Sequence, residues 1–352
     1  MSNHIIISKY DNYKFFSIET TANCNLRCKY CYYIKEDSTP KYDSDILVSN
    51  IAKFRNICIC FLGGEPFLNT DFMEKIMMHP KLKRREAIFS TNTNGTCFRN
   101  LRPELLAKFS FHHVSIDGYR KNNDYFRGKG VFDQVINNLS YLRKYSDASI
   151  VARMTISNPD QINDIPKIAK HFDAVYWQLN NTRSELSDDF LDKYIKNLRK
   201  LFSYWKNDIF TNKNFTIIPF IGMCDLIITG GLSKPNLICG AGTIYMSISV
   251  DGDTYPCPES FHRFSNTQKL GDIKNLKFKT YPRKNRCKSC SILRYCGGRC
   301  AMTDDDLYCE GVKEIYTLTN TFIKSLDKTE LKILKDRINY QKCLAYTTEV
   351  IP

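Results

Sequence analysis

The chain has no apolar run long enough to cross a membrane. The longest, Ile57 to Leu62 and Thr216 to Gly222, are of strand length, which excludes a transmembrane helix. The N-terminus, Met-Ser-Asn-His-Ile-Ile-Ile, lacks the charged-then-apolar layout of a signal peptide, so the expected location is the cytoplasm. Internal repeats are absent, and Gly and Pro are at ordinary levels, which argues against solenoids and disorder. The six histidines are dispersed, and even the adjacent His112-His113 offers no ligand spacing, so no histidine metal site is expected. No RNP-like run or zinc knuckle accompanies the formal charge of +14, so a nucleic-acid partner rests on charge alone and is not expected.

What is present organises well. From Lys14 to about Trp205, short β-rich runs alternate with helical patterns. The strands are expected at Phe15–Thr20, Ile57–Leu62, Ala87–Thr91, His113–Asp117, Ser149–Thr155 and Ala174–Leu179. Helices are expected near Ser44–Arg55, Asp71–Met78, Arg102–Lys108, Val131–Tyr145, Asp164–His171 and Asp188–Lys206. Near-continuous apolar strands alternating with helices mean a parallel sheet covered by helices, and six units make a partial (β/α)6 barrel of the α/β class. After Trp205 comes a loop-rich stretch, then a hairpin signal, Thr243–Val250, Asp251-Gly252 and Asp253–Cys257. The expected organisation is a barrel over residues 1–210, a cysteine-rich domain over 211–310 and a helical tail over 311–352.

Fifteen cysteines in a large chain without an export signal point to metal or redox chemistry rather than disulfides. They cluster instead of scattering. Cys24, Cys28 and Cys31 form a C-x3-C-x2-C run in the loop after the first strand. Three thiolates on one loop can hold three irons of a [4Fe–4S] cube and leave the fourth open to a chelating amine and carboxylate. Zinc or an ordinary ferredoxin cluster could also use such thiolates. Zinc would want a fourth ligand nearby, and no Cys or His follows until Cys58. Gly63-Gly64-Glu65-Pro66 ends the second strand, where two glycines let backbone approach a ligand and the carboxylate can accept from an ammonium group.

At this point the chain resembles the radical S-adenosylmethionine (radical SAM) superfamily. The three cysteines, with Tyr30 before the last, and the Gly-Gly-Glu-Pro run match its two core signatures. The resemblance implies reductive cleavage of S-adenosylmethionine to methionine and a 5′-deoxyadenosyl radical that abstracts hydrogen from a substrate. Val114-Ser115-Ile116-Asp117-Gly118 and Arg127 match a further family pattern, implying that Ser115 and Arg127 contact the cofactor's ribose and carboxylate. A hydroxyl or a carboxylate such as Asp117 can hold ribose hydroxyls, and a guanidinium can fork onto a carboxylate. Asn94, at the end of the third strand, is a further cofactor candidate, although strand-end turn chemistry also accounts for it.

The second cysteine field, Cys287-x2-Cys290-x5-Cys296-x3-Cys300, follows Cys239 and Cys257 and precedes Cys309. It resembles the SPASM domain of radical SAM enzymes that modify peptides and proteins, with Gly252 to Cys257 supplying its Gly-x4-Cys element. The resemblance implies that Cys239, Cys257 and Cys300 hold the nearer of two auxiliary [4Fe–4S] clusters, and Cys287, Cys290, Cys296 and Cys309 the farther, making three clusters in all. Cys224 is a candidate fourth ligand of the nearer one. With eleven thiolates around three clusters, the formal +14 falls to roughly +9. Cys58 and Cys60 alternate on a strand and read as packed core thiols, whereas Cys97 and Cys343 have no partner pattern.

The same resemblance implies a peptide or protein substrate and an external reductant such as flavodoxin or ferredoxin. No N-terminal leader-binding domain is expected, because the first strand begins within about fifteen residues. One enzyme rival is an anaerobic sulfatase-maturating enzyme, which forms formylglycine. That family places an aspartate directly after the cysteine of the Gly-x4-Cys element, where this chain has Pro258 and then Glu259, a candidate general base displaced by one residue. The cysteine pattern is also compatible with a small-molecule dehydrogenase or a non-catalytic iron–sulfur electron carrier. An electron carrier, however, needs neither an open iron nor the Gly63-Gly64-Glu65 site.

Overall fold

The computed structural model describes residues 13–33, 37–180, 187–211, 216–232, 237–262, 268–281, 283–300 and 307–340. Six parallel strands lie side by side in chain order: β1 (Lys14–Thr21), β2 (Ile57–Gly63), β3 (Ile88–Thr93), β4 (Phe109–Ser115), β5 (Ser149–Ile156) and β6 (Ala174–Leu179). Strands buried on both faces need apolar residues at successive positions, and β2, Ile-Cys-Ile-Cys-Phe-Leu-Gly, supplies them. Helices cover the outside. They are α1 (Ser44–Ile51), α2 (Thr70–Met77), α3 (Pro80–Lys83), α4 (Pro103–Leu106), α5 (Arg120–Arg127), α6 (Val131–Tyr145), α7 (Ile165–Ile168), α8 (Asp188–Asp208) and α9 (Ile218–Ile228). This is the expected partial (β/α)6 barrel.

Three details differ from the expectation. The loop-rich stretch after Trp205 contains α9, whose residues from Ile218 to Leu226 are all buried, so the apolar run of strand length is a helix apolar on every side. The helix α5 has no counterpart among the expected elements, because its buried residues are Asn123 and Arg127 rather than an apolar stripe. Finally, the hairpin of β7 (Tyr245–Ile248) and β8 (Asp253–Tyr255) does not open a separate sheet. β7 pairs in parallel with β1, from Phe15 with Tyr245 to Ile18 with Ile248. With β9 (Gly271–Asp272), the result is one nine-stranded sheet in the order β6-β5-β4-β3-β2-β1-β7-β8-β9.

The hairpin turn rests on Gly252, whose φ of 83° is left-handed and whose N–H donates to Ser249 O. Beyond it lie α10 (Glu259–His262), α11 (Leu293–Cys296), α12 (Leu307–Ser325) and α13 (Lys328–Tyr340). The tail packs back on the barrel helices: Trp205 of α8, fully buried, meets Phe220 of α9 and Phe322 of α12 with ring centroids 5.4 and 5.8 Å away. Burial of this aromatic group, worth several kcal/mol by the usual large-to-small cost of about 3–5 kcal/mol, ties the C-terminal helices to the barrel. Among the described residues no helix is long and apolar enough to cross a membrane.

Candidate active site: two cysteine fields on one cavity

The loop that leaves β1 carries Cys24, Cys28 and Cys31, and its shape is set by the strand beside it. Gly64 N–H donates to Thr21 O and Glu65 N–H to Asn23 O. The two chain segments run so close that a Cβ on Gly63 would stand 2.2 Å from Thr21 O, and one on Gly64 2.1 Å from Asn23 O. The glycines are therefore required by the approach of the cysteine loop itself, where the motif alone suggested the approach of a ligand. Both also line the cavity.

Glu65 differs from its expected part. Its carboxylate is fully buried and accepts from Thr93 Oγ1 (2.7 Å), Asn94 N (2.8 Å) and Phe67 N (3.2 Å). Burial pushes its pKa up to about 7, and those three donors oppose the shift. Glu65 thus clamps the ends of β2 and β3, and it is absent from the described cavity lining, to which Gly63, Gly64, Thr93 and Asn94 contribute.

On the other side of the loop, Arg127 and Asp117 form a buried ion pair with Nε 2.7 Å from Oδ2. Arg127 Nη2 donates to Asp117 Oδ1 (3.1 Å) and to the Tyr30 hydroxyl (2.5 Å), and the Tyr30 hydroxyl meets Asp117 Oδ2 at 2.5 Å. Arg127 Nη1 stands 4.0 Å from Cys28 Sγ. Burial raises the Cys28 pKa while the Arg127 charge opposes it. The resemblance implied that Arg127 reaches the cofactor, and Asp117 was a further candidate; here the two hold each other beside the cysteine loop, while Arg127 and Tyr30 also line the cavity. Asn94 meets the same loop, with Nδ2 2.8 Å from Asn25 Oδ1 and 3.9 Å from Cys24 Sγ. Ser115, the last residue of β4, lines the cavity.

The second field lies on the same cavity, of about 350 Å³, whose wall includes Cys24, Cys28 and Cys31 together with Cys239, Cys257, Pro258, Glu259 and Cys300. Cys257 is pushed above the ordinary thiol range by burial first and then by Cys300, Glu259 and Cys239 around it. A smaller cavity beside it is lined by Cys287, Cys290, Cys296 and Cys309, and Cys300 borders both. The chain turns back between Cys296 and Cys300 through Gly297, Gly298 and Arg299, all at positive φ. Cys224 is not brought here: it is buried in α9, lines neither cavity, and only burial and Asp225 raise its pKa. Cys343 and the segment 301–306 lie outside the described residues.

Several lining residues were not expected. His113 lies inside β4 rather than at its start; its Nδ1 is 2.8 Å from Asn92 Oδ1, and burial lowers its pKa to about 3. Arg153 of β5 is register-paired with Ser115, donates to Gln178 Oε1 (3.0 Å) and also lines the cavity. A charged residue in the middle of an apolar strand was the available signal. Cys58 and Cys60 face the cavity too, although Cys58 is buried as expected.

The fourteen described cysteines form no disulfide with one another. Among the described residues no three His, Cys, Asp or Glu side chains converge on a point where one metal ion would touch them all. Thiols spread around a cavity suit a multi-iron cluster, with one iron for each thiol, better than a single tetrahedral zinc.

Comparison with known proteins finds similar chains. Residues 18–172 match the model of the Radical SAM superfamily. A cysteine-type anaerobic sulfatase-maturating enzyme of Clostridium perfringens is 24% identical over 348 residues, 84% of this chain and 93% of that protein. The solved structure of anSMEcpe with bound AdoMet and a peptide superposes with a TM-score of 0.70 at 20% identity, covering 93% of this chain and 99% of that one. That of Streptococcus suis SuiB bound to its precursor peptide SuiA gives 0.59 at 17% identity, over 84% and 74%. These two likenesses show the fold. Residues 18–172 are thus a radical SAM domain, and the proteins of that superfamily are enzymes that use S-adenosylmethionine and a [4Fe–4S] cluster.

Proposed function

We propose that the enzyme abstracts a hydrogen atom from a residue of a peptide or protein held between the two cysteine fields. The observation that carries this reading is the single cavity joining Cys24, Cys28 and Cys31 to Cys239, Cys257 and Cys300. When bound, the open-iron cluster supplies the electron that splits S-adenosylmethionine, and two auxiliary clusters offer the electron of an oxidised substrate a way out. The chain's own groups do the rest. Gly63 and Gly64 present backbone to the cofactor's amine, while Ser115 and the neighbouring Arg153 are placed for its hydroxyl and carboxylate groups. Arg127, Asp117 and Tyr30 position the cysteine loop, and Arg127 and Tyr30 also border the cavity. Glu259 borders the cavity next to Cys257 and is assigned the substrate proton. A flavodoxin or ferredoxin is the proposed reductant.

Formylglycine formation on a sulfatase is the second reading, supported by the match to the sulfatase-maturating enzyme along 84% of the chain. Pro258 stands against it and the cavity position of Glu259 for it. The test is to reconstitute the protein anaerobically, reduce it, and supply S-adenosylmethionine with a sulfatase-derived Cys or Ser peptide, or with short peptides encoded beside the gene. The expected result is 5′-deoxyadenosine formed in step with a mass-shifted peptide. Formylglycine in the first peptide selects the second reading; cleavage with no change in any peptide overturns both.

A further inference from the structure

The barrel carries a second concave feature at the end opposite the cysteine loop. Left-handed turns at Asn56 and Glu86, just before β2 and β3, bring the end of α1 and the segment after α3 side by side. Between them lies a depression of about 440 Å³ whose charged lining is Lys53, Lys81, Arg84 and Arg85. Three of these cations are held in place by neutral groups: Lys53 Nζ by Asn50 Oδ1 (2.6 Å), Lys81 Nζ by Ser49 Oγ (2.7 Å) and Arg85 Nε by Ala52 O (3.0 Å). None of the four forms an ion pair among the described residues, unlike Lys41, Arg102, Arg120, Arg143 and Arg199 elsewhere on the surface.

We infer that this depression docks an acidic segment of the peptide or protein substrate, away from the residue that reacts. The inference rests on the peptide reading above and extends it. Four neighbouring cations, three of them tethered and none ion-paired among the described residues, repel one another, and an anionic chain laid among them relieves that repulsion while pairing with several at once. The lining has no aromatic ring on which a nucleobase could stack, which favours carboxylates over single-stranded nucleic acid. The position also fits. The depression adjoins the starts of β2 and β3, and Cys257 follows β8 two residues past Tyr255, at the Phe15–Tyr245 end of β1 and β7. A substrate anchored there approaches the cavity from the side of the second cysteine field.

The test uses the cluster-loaded enzyme and a fluorescently labelled Glu-rich peptide, followed by anisotropy at rising salt. A Lys53→Glu/Arg84→Glu variant should bind about tenfold more weakly, whereas Lys332→Glu/Lys335→Glu on the exposed face of α13 should change binding less than about twofold. Equal losses in both variants would mean diffuse attraction to a basic protein and overturn the inference. So would preferential binding of an oligonucleotide that is lost in the first variant only, which would make the depression a nucleic-acid site. Peptide modification with unaltered binding would remove the docking site and leave the peptide reading intact; selective binding by an enzyme that modifies no peptide would do the reverse.

Discussion

Arg127 and Asp117 face each other beside the first cysteine loop, 7% and 0% exposed, with Nε 2.7 Å from Oδ2. Removing one partner leaves the other charge buried, at a cost of about 3–5 kcal/mol, whereas removing both lifts that penalty. Arg127→Met should therefore lower the melting temperature sharply, and Asp117→Leu/Arg127→Met should recover most of it without recovering cofactor cleavage. Because Arg127 also sits 4.0 Å from Cys28 Sγ, Arg127→Lys should keep its iron but shift the cluster's reduction potential and EPR signal. Unchanged spectra in the Lys variant would reduce Arg127 to a structural role.

The approach of Gly64 to Asn23 gives a sharper prediction. A methyl group 2.1 Å from a backbone oxygen cannot be absorbed by a side-chain rotation, so Gly64→Ala should displace the loop carrying Cys24. With the three clusters proposed above, iron should fall by about a third and 5′-deoxyadenosine formation should stop, while the circular dichroism spectrum is retained. Full iron content would show that the loop tolerates the move.

Glu65 makes stability depend on pH. Burial raises its folded pKa to about 7 from 4.5. Its stabilising contribution is thus complete below 4.5 and is lost as the pH rises through 7. The total is roughly 3 kcal/mol, of which about 1 kcal/mol falls between about pH 6 and 8. Glu65→Gln costs a fixed amount at every pH, because its amide meets the Asn94 or Thr93 donor, but it cannot titrate. The melting temperature of the wild type should fall more steeply than that of the variant from about pH 6 to 8; parallel slopes would mean that Glu65 is already ionised at the lower pH.

Legibility from sequence followed periodicity. β6 and α6 stand at their expected bounds, Ala174–Leu179 and Val131–Tyr145, because each has the apolar spacing of its own element. α9 was not legible, since an unbroken apolar run fits a buried helix and a strand alike. α5 was hidden for the opposite reason, as its buried face is Asn123 and Arg127. At the site, cysteine spacing pointed to both fields, but that Glu65 and Asp117 are held by protein partners away from the cavity lining while Arg127 borders it depends on strand register, which motifs do not encode. Arg153 belongs to no motif, and the only trace of its role in the sequence is a charge inside an apolar strand.

Cys224 can be tested simply. It is fully buried among apolar residues of α9 and lines neither cysteine-bordered cavity. Cys224→Ala should leave the iron content and Mössbauer spectrum unchanged and lower stability by about 1 kcal/mol or somewhat more, the loss expected for a small buried side chain. A loss of iron confined to the nearer auxiliary cluster would restore Cys224 as its ligand.

Glu259 tests the chemistry itself. It opens α10 two residues after Cys257 and borders the cavity that also holds Cys239 and Cys300. Hydrogen abstraction from a carbon next to a hydroxyl or thiol leaves a proton that must depart before the electron can be passed on, so a base is needed after cofactor cleavage, not before it. Glu259→Gln should accordingly keep 5′-deoxyadenosine formation within about twofold of wild type while modified peptide falls at least about tenfold, uncoupling the two products. The pH profile separates a proton acceptor from a mere contact: wild-type product should rise as a carboxyl group ionises, and the Gln variant should lose that limb. Pro258→Asp, which places a carboxylate directly after Cys257, should restore coupling in the Glu259→Gln background if position along this wall, rather than the identity of Glu259, decides the role. Equal peptide product from wild type and Glu259→Gln at every pH would remove Glu259 from the mechanism and leave the proton to another group lining the cavity.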